Sequence, residues 1–301
     1  MRPLQFATYD VFTTQRYTGN PLAIVEDADQ LSTAQMQIIA REFNLSETIF
    51  VMPPRDPAHT ARVRIFFPTA EIPFAGHPTI GCAIHLATKL SGREDFALDL
   101  ILEEEAGDVP VHVARKKGEL RAEFRAPVLP HAHEGSVVSD LLAPALGLSD
   151  AAIGFSGHTP TVLAGGPAFL FIPVASRAAL RNAKPVEPHW SELMHAACVD
   201  SAYLYCRGDK EGFEARMFSP TAGIPEDPAT GSASAILAEQ LLRAGALGPG
   251  ETLVELRQGT DMGRPSTILL RAQQKNCALS AVYISGSAVP VMSGQLAPPT
   301  G

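Results

Sequence analysis

Two short stretches decide the fold: residues 64–73 read RIFFPTAEIP, and residues 216–225 read RMFSPTAGIP. Seven of the ten positions are identical, and the stretches lie 152 residues apart in a chain of 301. An internal duplication explains a match of this length at half the chain length better than two similar proline turns that arose by chance. The sequence therefore predicts two related halves.

The segments that follow the repeat are also related. GHPTIGCA at 76–83 and DPATGSAS at 227–234 each place a Pro- and Gly-bearing turn and a Thr before small residues. The helices that these residues open, over about 79–90 and 229–244, are apolar on most sides. A helix of this kind must be buried on most sides. Each half is therefore expected to bury one central helix.

A second helix precedes the repeated stretch in each half. Ser32 and Gln35 form a capping box and predict a helix over about 32–43, while Ser191 predicts the start of a helix over about 191–199. Alternating apolar residues between Gly, Pro and Asp turns predict strands. These strands are expected near the N-terminus and at 48–52, 97–102, 109–116, 119–125, 169–174, 202–206, 266–272 and 278–286.

The simplest architecture for this pattern is a mixed α/β (α+β) fold in which a curved sheet wraps around one central helix, made twice. The Pro-rich stretch 126–144 is the expected crossing between the halves. His131 and His133 within it could serve a metal, but the surrounding prolines and Gly135 favour a solvated linker.

Composition excludes several function classes. The net charge is -8 and no block of Lys and Arg stands out, which argues against a nucleic-acid or anionic-membrane partner. The sequence has no membrane-length apolar run and no signal-peptide pattern, and its four cysteines are far apart, as in reduced cytoplasmic proteins. The motifs of phosphate-loop, dinucleotide-binding, α/β-hydrolase and zinc-protease sites are absent. The expected partner is a small molecule.

Candidate functional residues cluster at the two turns that open the central helices. A helix N-terminus favours a carboxylate or phosphate, and the glycines at 76 and 231 let a ligand approach the backbone. His77 lies in the first turn, and Glu226, Asp227 and Ser232 lie in the second. If the halves face each other, these residues share a cleft between domains, a common place for a ligand.

Other readings of these residues stay open at this point. His77 could be a structural histidine, and Asp227 could cap its helix. Glu47 enters an apolar strand, either as an exposed loop-end charge or as an acid/base, and the matching place in the second half, Asp200 to Ala202, has no glutamate. Ser232, His77 and Asp227 match a hydrolytic triad by residue type, but the serine sits in a helix start.

The chain resembles the PhzF-like family of phenazine-biosynthesis isomerases. The resemblance covers nearly the whole chain, from about residue 6 to 296, and GHPT with EDPATGSA is highly specific. The motifs occur in the family's order: TGNPLAIV at 18–25, NLSETIFV at 44–51, RIFFPTAEIPFAGHPTIG at 64–81, ARMFSPTAGIPEDPATGSA at 215–233 and QGTDMGRPS at 258–266.

The resemblance implies the diaminopimelate epimerase-like fold, with two pseudo-symmetric halves that each roll a mostly antiparallel sheet around a central helix. The expected halves are 1–127, completed by a C-terminal strand near 288–296, and 128–287, with the active site between them. The family also implies a homodimer.

The family's site residues carry over residue by residue. Glu47 corresponds to the proton-transferring acid/base, with His77 and Asp227 as further catalytic residues. The family's substrate-binding positions, which include the contacts to a substrate carboxylate, correspond to Ser46, Gly76, Gly231 and Ser232. No metal and no cofactor is implied. Diaminopimelate epimerase and its racemase relatives use a cysteine at each helix start, and none stands there in this chain.

The function expected from this resemblance is a cofactor-independent isomerase that moves a proton on a small carboxylate. Partial burial should raise the pKa of Glu47 toward neutrality. The alternatives are a non-catalytic small-molecule binder on the same fold and, less favoured, an epimerase or racemase or a serine hydrolase.

Overall fold

The computed structural model describes residues 2–92, 94–208 and 212–299. The chain divides into two compact units, one formed by Met1–Pro127 with Ser285–Gly301 and the other by Val128–Ile284. The boundary after Ile284 falls inside one strand, Ala278–Gly286.

The strands of the first unit are joined by hydrogen-bonded pairs into one sheet. Its elements in chain order are β1 (Leu4–Val11), β2 (Asn20–Val25), α1 (Thr33–Phe43), β3 (Glu47–Met52), β4 (Ala61–Phe66), β5 (Glu71–Ile72), α2 (Gly76–Ser91), β6 (Phe96–Glu104), β7 (Gly107–Lys116) and β8 (Glu119–Arg125). The strand β18 (Ala288–Leu296) returns to pair with β1. Neighbouring strands run antiparallel except at β2–β3 and β4–β6, which are parallel.

The second unit repeats this plan. Its elements are β9 (His131–Ala132), α3 (Ser139–Leu146), β10 (Thr161–Ala164), β11 (Ala168–Pro173), α4 (Arg177–Asn182), α5 (His189–Ala197), β12 (Ala202–Arg207), β13 (Phe213–Ser219), β14 (Ile224–Asp227), α6 (Gly231–Arg243), β15 (Gly250–Gln258), β16 (Ser266–Lys275) and β17 (Ala278–Gly286). Again two pairs, β11–β12 and β13–β15, are parallel and the neighbouring pairs are antiparallel. The mostly antiparallel strand pairing within each unit confirms the predicted fold class and the internal repeat.

The central helices are buried as their composition predicts. Residues 76–85 of α2 are buried without interruption, and α2 packs on β1, β6, β7 and β8. At Gly81 a Cβ atom would lie 2.5 Å from Leu22 and 2.8 Å from Val11, so only glycine lets the helix approach β1 and β2 this closely. In the second unit, buried residues likewise cover most of α6.

Two details of the sequence prediction were wrong, and a third was incomplete. The helix α2 begins at Gly76 rather than near 79, because Pro78 falls in the first turn, where its missing N–H costs nothing. The helix α5 begins at His189 after Pro188, so Ser191 is not its N-cap. The segment around His131 and His133 is exposed, as expected of a solvated linker, but it is not irregular, because His131–Ala132 form β9 and pair with β10.

Other local predictions are confirmed. The capping box of α1 is present, with Ser32 Oγ accepting from the Gln35 amide and the Gln35 side chain accepting from the Ser32 amide. The strand expected at 119–125 is β8, and the one expected at 278–286 is β17. Among the helices of the described residues, none combines the length and the apolar character needed to cross a bilayer.

Candidate active site

Glu47 and His77 come together at one place in the first unit. Glu47 is the first residue of β3 and His77 the second residue of α2, and Oε2 of Glu47 lies 3.2 Å from Nδ1 of His77. Glu47 is only 7% exposed and His77 only 2%. The loop-end reading of Glu47, as an exposed charge, is therefore wrong.

The chain reaches this geometry through local structure. Asn44 ends α1 in the left-handed conformation, with φ of 51°, which turns the backbone sharply into β3. Because β2 and β3 are parallel, the first residues of both strands lie at the same sheet end, with Leu22 opposite Glu47. Asn20, at the start of β2, places its side-chain nitrogen 3.3 Å from His77 Nδ1. The half-buried Ser46 directly precedes Glu47.

His77 is neutral in this setting. Burial lowers the pKa of His77 to about 3, and a hydrogen bond with the Pro21 backbone only partly opposes this shift. The contact with Glu47 is therefore one between a carboxyl group and a neutral imidazole, not an ion pair. Within the described residues, His77 Nε2 has no hydrogen-bond partner. The ring can donate through one nitrogen and accept through the other.

In the second unit, Asp227 belongs to a buried hydrogen-bond network. Thr230 Oγ1 donates to Asp227 Oδ2 at 2.5 Å, and Asp227 is 3% exposed. Gln258, at the end of β15, accepts from the Thr230 amide at 3.1 Å. Its Nε2 donates to the Asp227 carbonyl at 2.8 Å and to Thr230 Oγ1 at 2.9 Å. This network fixes the Asp227 side chain in one orientation.

Asp227 does not cap α6. The N-cap of this helix is Thr230, whose side chain makes no capping hydrogen bond because it faces Asp227. The capping interpretation of Asp227 is thus wrong. Gly231 is buried at the first position of α6, and Ser232 is half-buried at the second. These positions match Gly76 and His77 at the start of α2.

The adjacent carboxylate has a different role. Glu226 binds Arg216 through two hydrogen bonds of 2.8 Å, and the guanidinium also lies over the Phe218 ring. In the first unit Arg64 binds Glu71 in the same bidentate way and lies over Phe66. The repeated RxF motif therefore builds a structural ion pair in each unit, and Glu226 is part of it.

The repeat also shows that Glu47 has no counterpart in the second unit. Thr48 lies opposite Phe66 and Ala202 lies opposite Phe218, two phenylalanines that the repeat matches. Ser201 consequently occupies the position of Glu47, and its hydroxyl donates to Ser219 at 2.7 Å. A carboxyl group therefore stands at one of these two places only.

Sequence reasoning missed three polar residues that support the site. Asn20 and Gln258 lie in the stretches 18–25 and 258–266 that carried the resemblance, and Thr230 lies within EDPATGSA, but no role was assigned to any of them. Gly259, next to Gln258, has φ of +75°, and a Cβ there would lie 2.7 Å from the Pro228 carbonyl oxygen. The sequence signal that could have pointed to this network was Gly259, which follows a strand and has Gln258 directly before it.

A family model described as phenazine biosynthesis-like protein, PhzC-PhzF, matches residues 9–294. The chain belongs to the PhzC-PhzF family. A trans-2,3-dihydro-3-hydroxyanthranilate isomerase from Pseudomonas chlororaphis is 36% identical over 97% of this chain and 98% of its own. An uncharacterized isomerase from Mesorhizobium japonicum is 41% identical over 98% of this chain and 99% of its own.

A solved structure of the PhzF family supports the same assignment. The Bacillus anthracis phenazine biosynthesis protein superposes with a TM-score of 0.86 at 25% identity, covering 99% of this chain and all of the other. The PhzF-like resemblance read from the sequence is confirmed, and the chain is an isomerase.

Proposed function

We propose that the protein is a cofactor-independent isomerase that moves a proton between two carbons of a small, carboxylate-bearing metabolite. The observation that carries the proposal is the buried contact of 3.2 Å between Glu47 and His77. A buried carboxyl group beside a neutral imidazole is suited to accept a proton from carbon and return it elsewhere.

Glu47 is the proposed acid/base and His77 its partner. In the tautomer with hydrogen on Nε2, Nδ1 can accept a proton from a neutral Glu47; in the other tautomer, Nδ1–H can donate to an ionised Glu47 in place of the contact with Asn20. Both protonation states of Glu47 are thereby stabilised, as a group that alternates between base and acid requires. Partial burial of Glu47 should also keep its pKa above that of an exposed glutamate.

The remaining site residues are assigned to binding and orientation. The first turns of α2 and α6 offer backbone N–H groups to a carboxylate, with Gly76, Gly231 and the hydroxyls of Ser46 and Ser232 as contacts. Asp227, held by Thr230, is proposed to orient or polarise the substrate. In this proposal both sets of residues act on one substrate molecule.

The Pseudomonas chlororaphis relative names a compound to test first, trans-2,3-dihydro-3-hydroxyanthranilate. We expect the wild-type protein to incorporate deuterium from D₂O into a carbon of this compound or of another cyclic carboxylate. Deuterium in the substrate can be followed by NMR in reactions without added metal or cofactor. The protein is tested both before and after treatment with a chelator. Loss of exchange after chelation would contradict the cofactor-independent mechanism.

A panel of related carboxylates extends the test if that compound is not turned over. Tight binding of panel members without any exchange would favour a non-catalytic binder. Labelling by a fluorophosphonate at Ser232 would favour a hydrolase. The family also suggests a homodimer, and a monomeric mass by light scattering at micromolar concentration would refute this expectation.

A further inference from the structure

A second buried carboxyl group lies against the first turn of α2. It is distant from Glu47 in the sequence. Glu104 ends β6, is 8% exposed, and places Oε1 2.7 Å from Thr79 Oγ1. Thr79 Oγ1 lies equally close, at 2.7 Å, to the carbonyl oxygen of Ala75. Ala75 is the N-cap of α2, so this chain of contacts ends where the turn with Gly76 and His77 begins.

The number of protons decides the charge of Glu104. A threonine hydroxyl carries one proton, a carbonyl oxygen can only accept, and an ionised carboxylate can only accept. The Ala75 carbonyl takes the Thr79 proton in a bond that threonines in helices commonly make. A second short O···O contact at Thr79 Oγ1 therefore needs a proton from Glu104.

The second unit has a neutral amide at the position of Glu104. The parallel pairing places Arg62 opposite Glu103 and the matching Glu214 opposite Arg257, so Glu104 and Gln258 occupy the same position. Gln258 Nε2 donates to Thr230 Oγ1, which in turn donates to Asp227. Thr230, as the N-cap of α6, matches Ala75 rather than Thr79, so in the second unit a neutral amide N–H donates to a hydroxyl at the start of the helix.

We infer that Glu104 is held as a neutral carboxylic acid, which donates its Oε1 proton to Thr79 and so positions the first turn of α2. With the proton on Oε1, Oε2 of Glu104 is a carbonyl oxygen. Within the described residues, Oε2 has no hydrogen-bond partner. A carboxylate with such an unpaired buried oxygen would be strongly destabilised. Glu104 is a positioning residue, because it acts on His77 only through Thr79 and Ala75.

The electrostatics of the surroundings agree with this assignment. Burial raises the pKa of Glu104 to about 8, and the hydrogen bond with Thr79 opposes this shift only in part. Cys82, further along α2, interacts electrostatically with Glu104, and burial keeps its thiol neutral by raising its pKa. Among the described residues, no Lys, Arg or His side chain forms an ion pair with Glu104.

Ionisation of Glu104 should loosen the turn. Above about pH 8 the Thr79 hydroxyl would have two acceptors for one proton, and the bond to Ala75 would weaken. The backbone amide resonances of Gly76 and His77 should then titrate with a midpoint near 8 in the wild type. They should not do so in Glu104→Gln, whose amide keeps a donor at every pH. A variant with the same substitution at the exposed neighbour, Glu105→Gln, should titrate like the wild type.

Infrared spectroscopy tests the protonation state without any substrate. The wild type should show the C=O band of a neutral carboxylic acid at pH 6.5, and the band should disappear as pH rises through about 8. The band should be missing in Glu104→Gln and should persist in Glu47→Gln, which separates this inference from the proposed catalytic role of Glu47. A wild-type spectrum without such a band at pH 6.5, or a band lost only in Glu47→Gln, would overturn the inference.

Variants of Thr79 test the direction of the hydrogen bond, even if Glu104→Gln does not fold. In Thr79→Val the acid loses its acceptor, so its C=O band should move to higher frequency. Thr79→Ser should leave the band in place. Equal spectra for the valine and serine variants would show that Glu104 does not donate to Thr79.

Discussion

Oε2 of Glu47 lies 3.2 Å from Nδ1 of His77, although thirty residues separate the two in the chain. The contact joins the first residue of β3 to the second residue of α2, and burial keeps the imidazole neutral by lowering its pKa. A neutral partner of this kind can stabilise either protonation state of the carboxyl group, which is the basis of the first two predictions.

Glu47→Gln should abolish isomerisation and leave the fold intact. The amide keeps the shape of the carboxyl group but cannot accept a proton from carbon, and general acid–base catalysis contributes ~10²–10⁴-fold. The measurement is deuterium incorporation from D₂O by NMR, with circular dichroism to check folding. Glu42→Gln, the same change at an exposed position of α1, is the control and should exchange like the wild type. Equal exchange by Glu47→Gln and the wild type would transfer the role of base to His77 or Asp227.

His77 should make the protein sensitive to acid. Its folded-state pKa of about 3 lies below the unfolded value of 6.5, so its contribution to stability is present above pH 6.5. That contribution is lost as pH falls from 6.5 toward 3, with a slope of up to ~1.4 kcal/mol per pH unit. Urea unfolding between pH 4 and 7 should show a steeper acid loss for the wild type than for His77→Asn. The exposed His131→Asn should follow the wild type, and parallel curves for all three proteins would refute the prediction.

The neighbours Glu226 and Asp227 should respond differently to the same kind of substitution. Asp227→Asn should lower kcat by ~10–10²-fold, because the orientation of a buried group near the reaction is lost. Glu226→Gln should leave kcat within about threefold and reduce the free energy of unfolding by ~1–3 kcal/mol, because it weakens the bond to Arg216. A larger loss of kcat in Glu226→Gln than in Asp227→Asn would contradict the assignment.

Combining the Asp227 and Glu47 variants tests whether they act on one substrate. If both serve the same reaction, Asp227→Asn should cost little further activity in the Glu47→Gln background. Fully additive losses would indicate that the two residues act independently.

Gln258 should support Asp227 through Thr230. Gln258→Leu keeps the volume and removes the hydrogen bonds to Thr230 and to the Asp227 carbonyl, which leaves buried groups unpaired at ~1–3 kcal/mol each. We expect lower stability and lower kcat, measured by urea unfolding and steady-state kinetics. Gln30→Leu, at an exposed glutamine, is the control.

Thr230 gives a second, milder test of the same network. Thr230→Val should lower kcat, because the hydroxyl that binds Asp227 at 2.5 Å is gone. Thr230→Ser keeps that hydroxyl and should recover most of the activity. Equal kcat for the two variants would show that the hydroxyl does not orient Asp227.

Much of the fold could be predicted because its signals are local. The capping box at Ser32 and Gln35 marks the start of α1 to within one residue. The repeat of RIFFPTAEIP and RMFSPTAGIP predicted two related halves with one buried central helix each, and each unit has such a helix, α2 or α6. The errors were local as well. Pro78 and Pro188 stand in or before a first helical turn, where proline favours the start of a helix, but the prediction placed both helix starts after these prolines.

The sequence by itself determined the repeat, the central helices and the candidates Glu47, His77 and Asp227, because residue type and short-range spacing encode them. Only the tertiary structure decided how these candidates are used. The pairing of β2 with β3 brings Asn20 and Glu47 to one sheet end, where both lie close to His77. The pairing of β13 with β15 brings Gln258 to Asp227 across 31 residues. The same pairing rules place Glu104 behind Thr79. Hydrogen bonds between such distant residues depend on strand register, which no short stretch of sequence specifies.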